Sequence, residues 1–510
     1  MASLYRTLLY PALAFLAANA SALAETSDLW GRTGEFWRAD SRLPDFSFAG
    51  FAHGEQPLPN LPVKASVRDF GAVGDGRHDD TEAFRKGIAA VENGALLVPP
   101  GRYVISDHIN ISKPHFVLRG AGADKSVLYF PRTLTDVKPN LGATTTGRPT
   151  SNYSWSGGFL SVQGDFRSQE LTMITEPARR GDTRTTVAST QKLTAGDWIE
   201  ISQSDMPDNS LAATLYAGQP GPMDKLLGRT RTSLTARIAS VEEGGLVTLN
   251  RALPFDIEPR WRPRVLRFAP TVTHVGIEEL GFEFPETPYL GHFTELGANP
   301  LAFSRVAHCW ARGLRFLNAD SGGFLSGRFC TLEGLTFDSA RKPDRALGAV
   351  GHHGVSLGGH DNLCTRFRFN VRYVHDITVS HCSGNVVSSG SGVDLCFDHH
   401  KRAPFSNLFT DLDLGAGTRM YRSGGGAALG KHSGAWTTFW NIRAARPQAW
   451  PPANFAPDRV NLVGVITKDA SIKDKTGRWL EAIDPTSLAP ANLHEAQLQR
   501  RLTEQSAATR

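Results

Sequence analysis

Apolar residues recur along this chain in two rhythms, one helical and many of strand type. After an aperiodic, proline-rich stretch over 25–65 comes Val67-Arg68-Asp69-Phe70-Gly71-Ala72-Val73-Gly74-Asp75-Gly76, then Asp79-Asp80-Thr81-Glu82-Ala83-Phe84. The glycines mark turns that need positive φ. Asp79 or Asp80 suits the N-cap of a helix whose apolar face is Phe84, Ile88 and Val91. Leu96-Leu97-Val98 predicts a short buried strand, Pro99-Pro100-Gly101 a turn, and 103–105 another strand. Similar strand phrases return at 277–282, 313–316 and 334–337, with weaker copies at 376–379, 411–414 and 441–444. Leu314 and Leu335 are 21 residues apart and Ile377 lies 42 further on, the spacing of one and two coils of a parallel β-solenoid. Cys309 and Cys330 share the offset of 21 and are expected to stack on adjacent coils.

Two stretches break this rhythm. Over 177–262, Gly-Asp turns separate short runs such as Trp198-Ile199-Glu200-Ile201 and Val247-Thr248-Leu249, which predicts an inserted antiparallel β module with a long loop over 203–230. Over 493–502, Leu493, Gln497, Leu498 and Leu502 fall at helical spacing and predict a terminal helix that caps the solenoid. At the other end, Arg6, an apolar run over 7–18 and Ala22-Leu23-Ala24 before Glu25 read as a cleavable export leader. The expected organisation is a leader over 1–24, an arm over 25–65, a first solenoid part over 66–176, the insert over 177–262, the main solenoid with the site over 263–450 and a cap over 451–510. The mature chain is expected to be secreted or periplasmic, with no membrane segment left after cleavage.

Composition narrows the classes. With 40% hydrophobic and 21% charged residues, the 510-residue chain is neither disordered nor collagenous, and 50 glycines with 30 prolines favour a turn-rich β architecture. The net charge of +5 contains no Lys/Arg block, so nucleic acid is not an expected partner. The odd count of 5 cysteines, none in a CxxC pair, argues against structural zinc and against complete disulfide pairing, although one bridge among Cys364, Cys382 and Cys396 stays open.

The glycine-rich segment at 71–76 and the Asp79–Phe84 phrase resemble the opening of the pectate-lyase-like right-handed parallel β-helix superfamily. The resemblance implies an all-β solenoid with a helix capping its N-terminal end. Gly351-His352-His353-Gly354 is similar to the Gly-His-Gly of polygalacturonases, but their Asn-Thr-Asp, paired Asp and Arg-Ile-Lys do not accompany it in order. The phrases at 398–404, 407–410, 415–419, 438–441 and 493–502 resemble a little-characterised family of secreted β-helix proteins, which carries no activity with it.

Candidate chemistry gathers late in the chain, where eight of the 16 histidines lie within 352–432. In Val393-Asp394-Leu395-Cys396-Phe397-Asp398-His399-His400-Lys401-Arg402, strand alternation turns Val393, Leu395 and Phe397 inward. Asp394, Asp398, His400 and Arg402 are then expected to project outward. Arg366, Arg368 and Arg372 are expected to form an outward strip suited to anionic sugars, with Arg419 and His432 nearby. The main expectation is an exported enzyme that depolymerises an acidic polysaccharide or oligosaccharide by β-elimination. His400 or Lys401 would be the base, His399 and His353 acid candidates, and Arg402, Arg366 or Arg368 the neutraliser of the uronate carboxylate. Asp394 and Asp398 would orient His400 or hold Ca²⁺, the one candidate cofactor. The alternatives are a glycoside hydrolase using Asp394 and Asp398, whose ~13 Å separation on one strand exceeds the usual carboxyl spacing, and a non-catalytic glycan-binding protein.

Overall fold

The computed structural model describes residues 24–509. The expected leader over 1–24 lies, but for its final residue, outside them. From Val63 onward the chain winds as a right-handed parallel β-helix whose coils stack their strands in two sheets, some coils giving the larger sheet two short strands. Sheet A has seven strands, among them Leu301–Ala307, Ser321–Arg328, His353–His360, His375–Ser383 and Phe397–His399. Sheet B has eighteen strands and holds Trp310–Leu317, Thr331–Asp338, Val386–Gly392, Leu408–Asp413 and Thr438–Arg443. Leu314 pairs with Leu335, as the spacing of 21 predicts. Ile377 does not continue that column: it lies in sheet A between Val355 and Phe397, so the second interval of 42 is coincidental.

The repeat holds because like residues stack on like. Phe316, Phe337 and Phe369 form a nearly parallel ring ladder, with centroids 4.7 and 4.1 Å apart. Between the sheets the buried amides of Asn362, Asn385 and Asn407 form a second ladder, each side-chain oxygen accepting a backbone N–H from the preceding coil at 3.0, 2.8 and 3.1 Å. Cys309 and Cys330 stack on adjacent coils, and all five cysteines are buried and free.

Helix α1 (Thr81–Ala90) covers the N-terminal end, burying Phe84 and Ile88. Asp80 stands at its N-cap with its carboxylate occupied by the Val73 and Gly74 N–H groups, and the preceding Asp79 accepts from the Thr81 N–H and hydroxyl. Helix α2 (Leu493–Thr509) lies with the N-terminal arm on the outside of sheet B, where Gln497 hydrogen-bonds Pro44 and Phe46. A six-stranded antiparallel sheet occupies 170–267, with its own core around Ile199, Ile201, Leu234 and Val265. Two buried ion pairs fasten this module to the solenoid, Arg328–Glu200 at 2.7 Å and Arg251–Asp361 at 2.8 Å. Losing one member of such a pair strands a buried charge, at a cost of about 3–5 kcal/mol.

Candidate functional site

Sheet A brings the chemistry together by register. His353 pairs with His375, and Thr378 with Asp398. The Thr378 hydroxyl donates to Asp398 Oδ2 at 3.1 Å, so its lone pairs are free to accept from His353 Nδ1 at 2.9 Å. Asp398 also accepts from the Gly424 N–H at 2.7 Å and from His400 Nδ1 at 3.0 Å. Burial would raise the Asp398 carboxyl, but His375, His400 and the Gly424 N–H together hold it far below the carboxylate range. Burial likewise pulls the His400 imidazole down, yet its hydrogen bond to Asp398 and the charge there outweigh this and the net shift is upward. With Nδ1 committed to Asp398 and 38% of its side chain exposed, His400 leaves Nε2 as its uncommitted ring nitrogen.

A second group of histidines touches this dyad. His292, His352 and His375 each bring one ring nitrogen within 4.8 Å of the others. Burial lowers all three, His292 to about 4. Neither nitrogen of His375, which is only 4% exposed, has a hydrogen-bond partner. Glu295, pushed up to about 7 by burial, lies 3.6 Å from His352 Nδ1 and accepts from Tyr289.

Other expected residues fall elsewhere. The stretch around Asp394 is not one continuous strand: the chain leaves sheet B at Gly392 and joins sheet A only at Phe397, and on the turn between them Val393 is 46% exposed and Asp394 is buried. Asp394 accepts from the Thr418 N–H and hydroxyl and meets Arg372 at 3.1 Å and Arg419 at 3.4 Å. With donors on both Asp394 and Asp398, neither carboxylate is free as a Ca²⁺ ligand, and Asp394 is no partner for Asp398 in hydrolysis. Arg419 is buried against Asp376 at 2.7 Å and is unavailable to a substrate. Asp376 in turn accepts the Cys396 N–H at 2.9 Å, so this knot ties the start of the His375 strand to the turn before Asp398. His399 points into the solenoid among Phe409, Phe439 and Phe455, which removes it as an acid. Arg366 and Arg368 do alternate outward, but from sheet B, where they pair with Glu333 and Asn370. His432 is half-buried and bonded to the His399 carbonyl, and the Lys401 stem lies near Gly425. His292 and Glu295 escape a reading by periodicity because they sit on an irregular loop between strands. The short His292-Phe293-Thr294-Glu295 phrase is their one signal.

Between sheet A and the inserted module runs a cleft made of two adjoining cavities of ≈ 560 and ≈ 710 Å³ that share Phe166, Arg328, His360 and His381. Thr378 lines it on the side of the dyad, Trp155 stands 38% exposed at its edge, and Arg229, Arg231, Arg264 and Arg402 line its far part. Arg229, Arg231 and Arg402 have no ion-pair partner among the described residues.

Residues 65–208 match the family described as Rhamnogalacturonase A/epimerase, pectate lyase-like. The chain is a parallel β-helix whose residues 65–208 are similar to that family. Among curated relatives, this β-helix is 30% identical over 118 residues to Plasmin and fibronectin-binding protein A of Streptococcus pneumoniae, covering 20% of this chain and 16% of that protein. It is 28% identical over 117 residues to Alginate lyase 7 of Azotobacter vinelandii, 21% of this chain and 13% of that one. These curated relatives are thus matched over less than a fifth of their length. A solved exopolygalacturonase from Thermotoga maritima aligns over 75% of this chain and 70% of its own, with TM-score 0.39 and 10% identity.

Proposed function

We propose that this β-helix protein is an exported enzyme that cleaves an acidic polysaccharide lying in the cleft, by β-elimination. The observation that carries the reading is the Asp398–His400 dyad beside a cleft whose far part holds three arginines, Arg229, Arg231 and Arg402, without carboxylate partners. Guanidinium groups suit uronate carboxylates, and Trp155 offers a flat apolar face for a sugar ring. In the proposed reaction His400 Nε2 takes the proton from C5 of a uronate, the electron pair forms the C4–C5 double bond, and the C4–O bond breaks. Asp398 stabilises the imidazolium, which returns the proton to the leaving oxygen. Arg402 contributes positive charge toward the uronate from the cleft wall. A relative named as an alginate lyase is in keeping with a uronate polymer as substrate.

The test is mature protein against a panel of uronate-containing and neutral polysaccharides, following ultraviolet absorbance of unsaturated ends and total reducing ends. Both signals rise with a uronate polymer, and His400→Ala lowers kcat at least about 10²-fold, the usual weight of a general base. Reducing ends without absorbance would replace elimination by hydrolysis. Binding without either signal would leave a glycan-binding protein.

A further inference from the structure

We propose that His292, His352 and His375 hold a divalent transition-metal ion beside the Asp398–His400 dyad, and that its open position takes a carboxylate oxygen of the glycan. The second half of this proposal rests on the acidic-polysaccharide reading above; the first does not. The three ring nitrogens lie within 4.8 Å of one another, so small side-chain rotations bring them to the ~2.1 Å of a zinc–nitrogen bond. His375 is aimed into the group with both nitrogens unpaired and almost no exposure. Neutral imidazole is the ligating form, and a three-imidazole set suits zinc, cobalt or copper and disfavours calcium and magnesium.

The surroundings are those of a metal centre. Carboxylate oxygens stand behind two of the rings, Glu295 at 3.6 Å from His352 Nδ1 and Asp398 at 3.5 Å from His375 Nδ1. Such carboxylates orient a ligating imidazole and raise its basicity. Space over His375 is kept by Gly424, where an added Cβ would lie 3.3 Å from His375 Nε2 and 2.9 Å from a ring carbon of His400. His292 is the half-exposed member, and it stacks on Phe293, whose ring meets Trp155 of the cleft edge at 6.2 Å. The site therefore opens toward the cleft, where an ion with three protein ligands keeps a position for an outside oxygen.

The experiment is titration of chelator-treated full-length mature protein with Co²⁺ and Zn²⁺, read by the visible ligand-field spectrum of Co²⁺ and its displacement by Zn²⁺. One equivalent binds, and His292→Ala, a loop residue outside both sheets, weakens binding at least 100-fold with the circular dichroism spectrum unchanged. Absence of stoichiometric binding, or equal affinity in His292→Ala, overturns the metal site. Oligogalacturonate or oligomannuronate added to the Co²⁺ protein shifts the spectrum, and an unmoved spectrum with either probe overturns the carboxylate at the metal. Because metal binding is read without turnover, a bound ion in a protein inactive on every polysaccharide leaves the site standing and removes the enzymatic reading instead.

Discussion

Histidines crowd together at two places in this molecule, and the two crowds are built differently. Under the N-terminal arm, His53 lies flat on Trp198 with centroids 4.2 Å apart, and His308 lies on Phe329 at 5.4 Å. Burial lowers His53 to about 2 and His308 to about 4, and the charged neighbours that act on His53 are all basic. These imidazoles serve as flat, neutral packing. Around His375, burial also pulls the rings down, but Asp398 and Glu295 stand beside them and several nitrogens are unspent. A buried histidine thus says little about chemistry by itself. The carboxylate behind the ring separates a working imidazole from a packed one, because it fixes the tautomer and supports a proton or an ion on the other nitrogen.

That contrast can be tested at its carboxylates first. Glu295→Gln keeps the shape beside His352 and removes the charge, and Co²⁺ affinity is expected to fall about 10- to 100-fold, read in the same spectral titration. An unchanged affinity would reduce Glu295 to a packing group. The packed crowd predicts a pH effect instead. Its folded-state values lie below the ordinary 6.5, so the unfolded chain binds more protons in acid and stability is lost as pH falls from 6.5 toward 4. The slope is about 1.4 kcal/mol per pH unit for each ring. His53→Phe should shrink the drop in urea-unfolding free energy between pH 5.5 and 4.5 by about that amount and leave kcat at neutral pH untouched. An identical drop in both proteins would mean that His53 is not the neutral ring described here. The smallest effect belongs to the cleft wall: Arg402→Ala should raise KM about threefold at low salt with kcat nearly constant, and the difference should fade as salt screens the pair.

Much of the solenoid is legible in the residues because it repeats. The glycine turns at 71–76, the helix face of Phe84 and Ile88, and the Leu314–Leu335 interval each state a local geometry that packing then obeys. Asp398 and His400 could be read as neighbours for the same reason, being two apart beside a strand. The errors came where alternation was carried past the end of that strand. Asp394 and Val393 exchange their expected exposures because the chain bends away, with Asp394 bridging to Gly415 and closing on Arg419. The arginines at 366 and 368 alternate as expected, but period two does not say which of two sheets a strand joins. His292 and Glu295 reach the site from a loop whose path is set by tertiary contacts such as the Asp320 carboxylate accepting the Leu296, Gly297 and Ala298 N–H groups.

The two ion pairs that fasten the inserted module to the solenoid, Arg328–Glu200 and Arg251–Asp361, bear on what can enter the cleft. Both are buried, so prising the module away would expose four charges from their partners at once. The opposing walls consequently behave as a gauge of fixed bore and not as a jaw. For the polysaccharide proposed above, the expected consequence is sorting by girth: slender, unbranched stretches would enter the slot, and bulky side branches would stop at its rim.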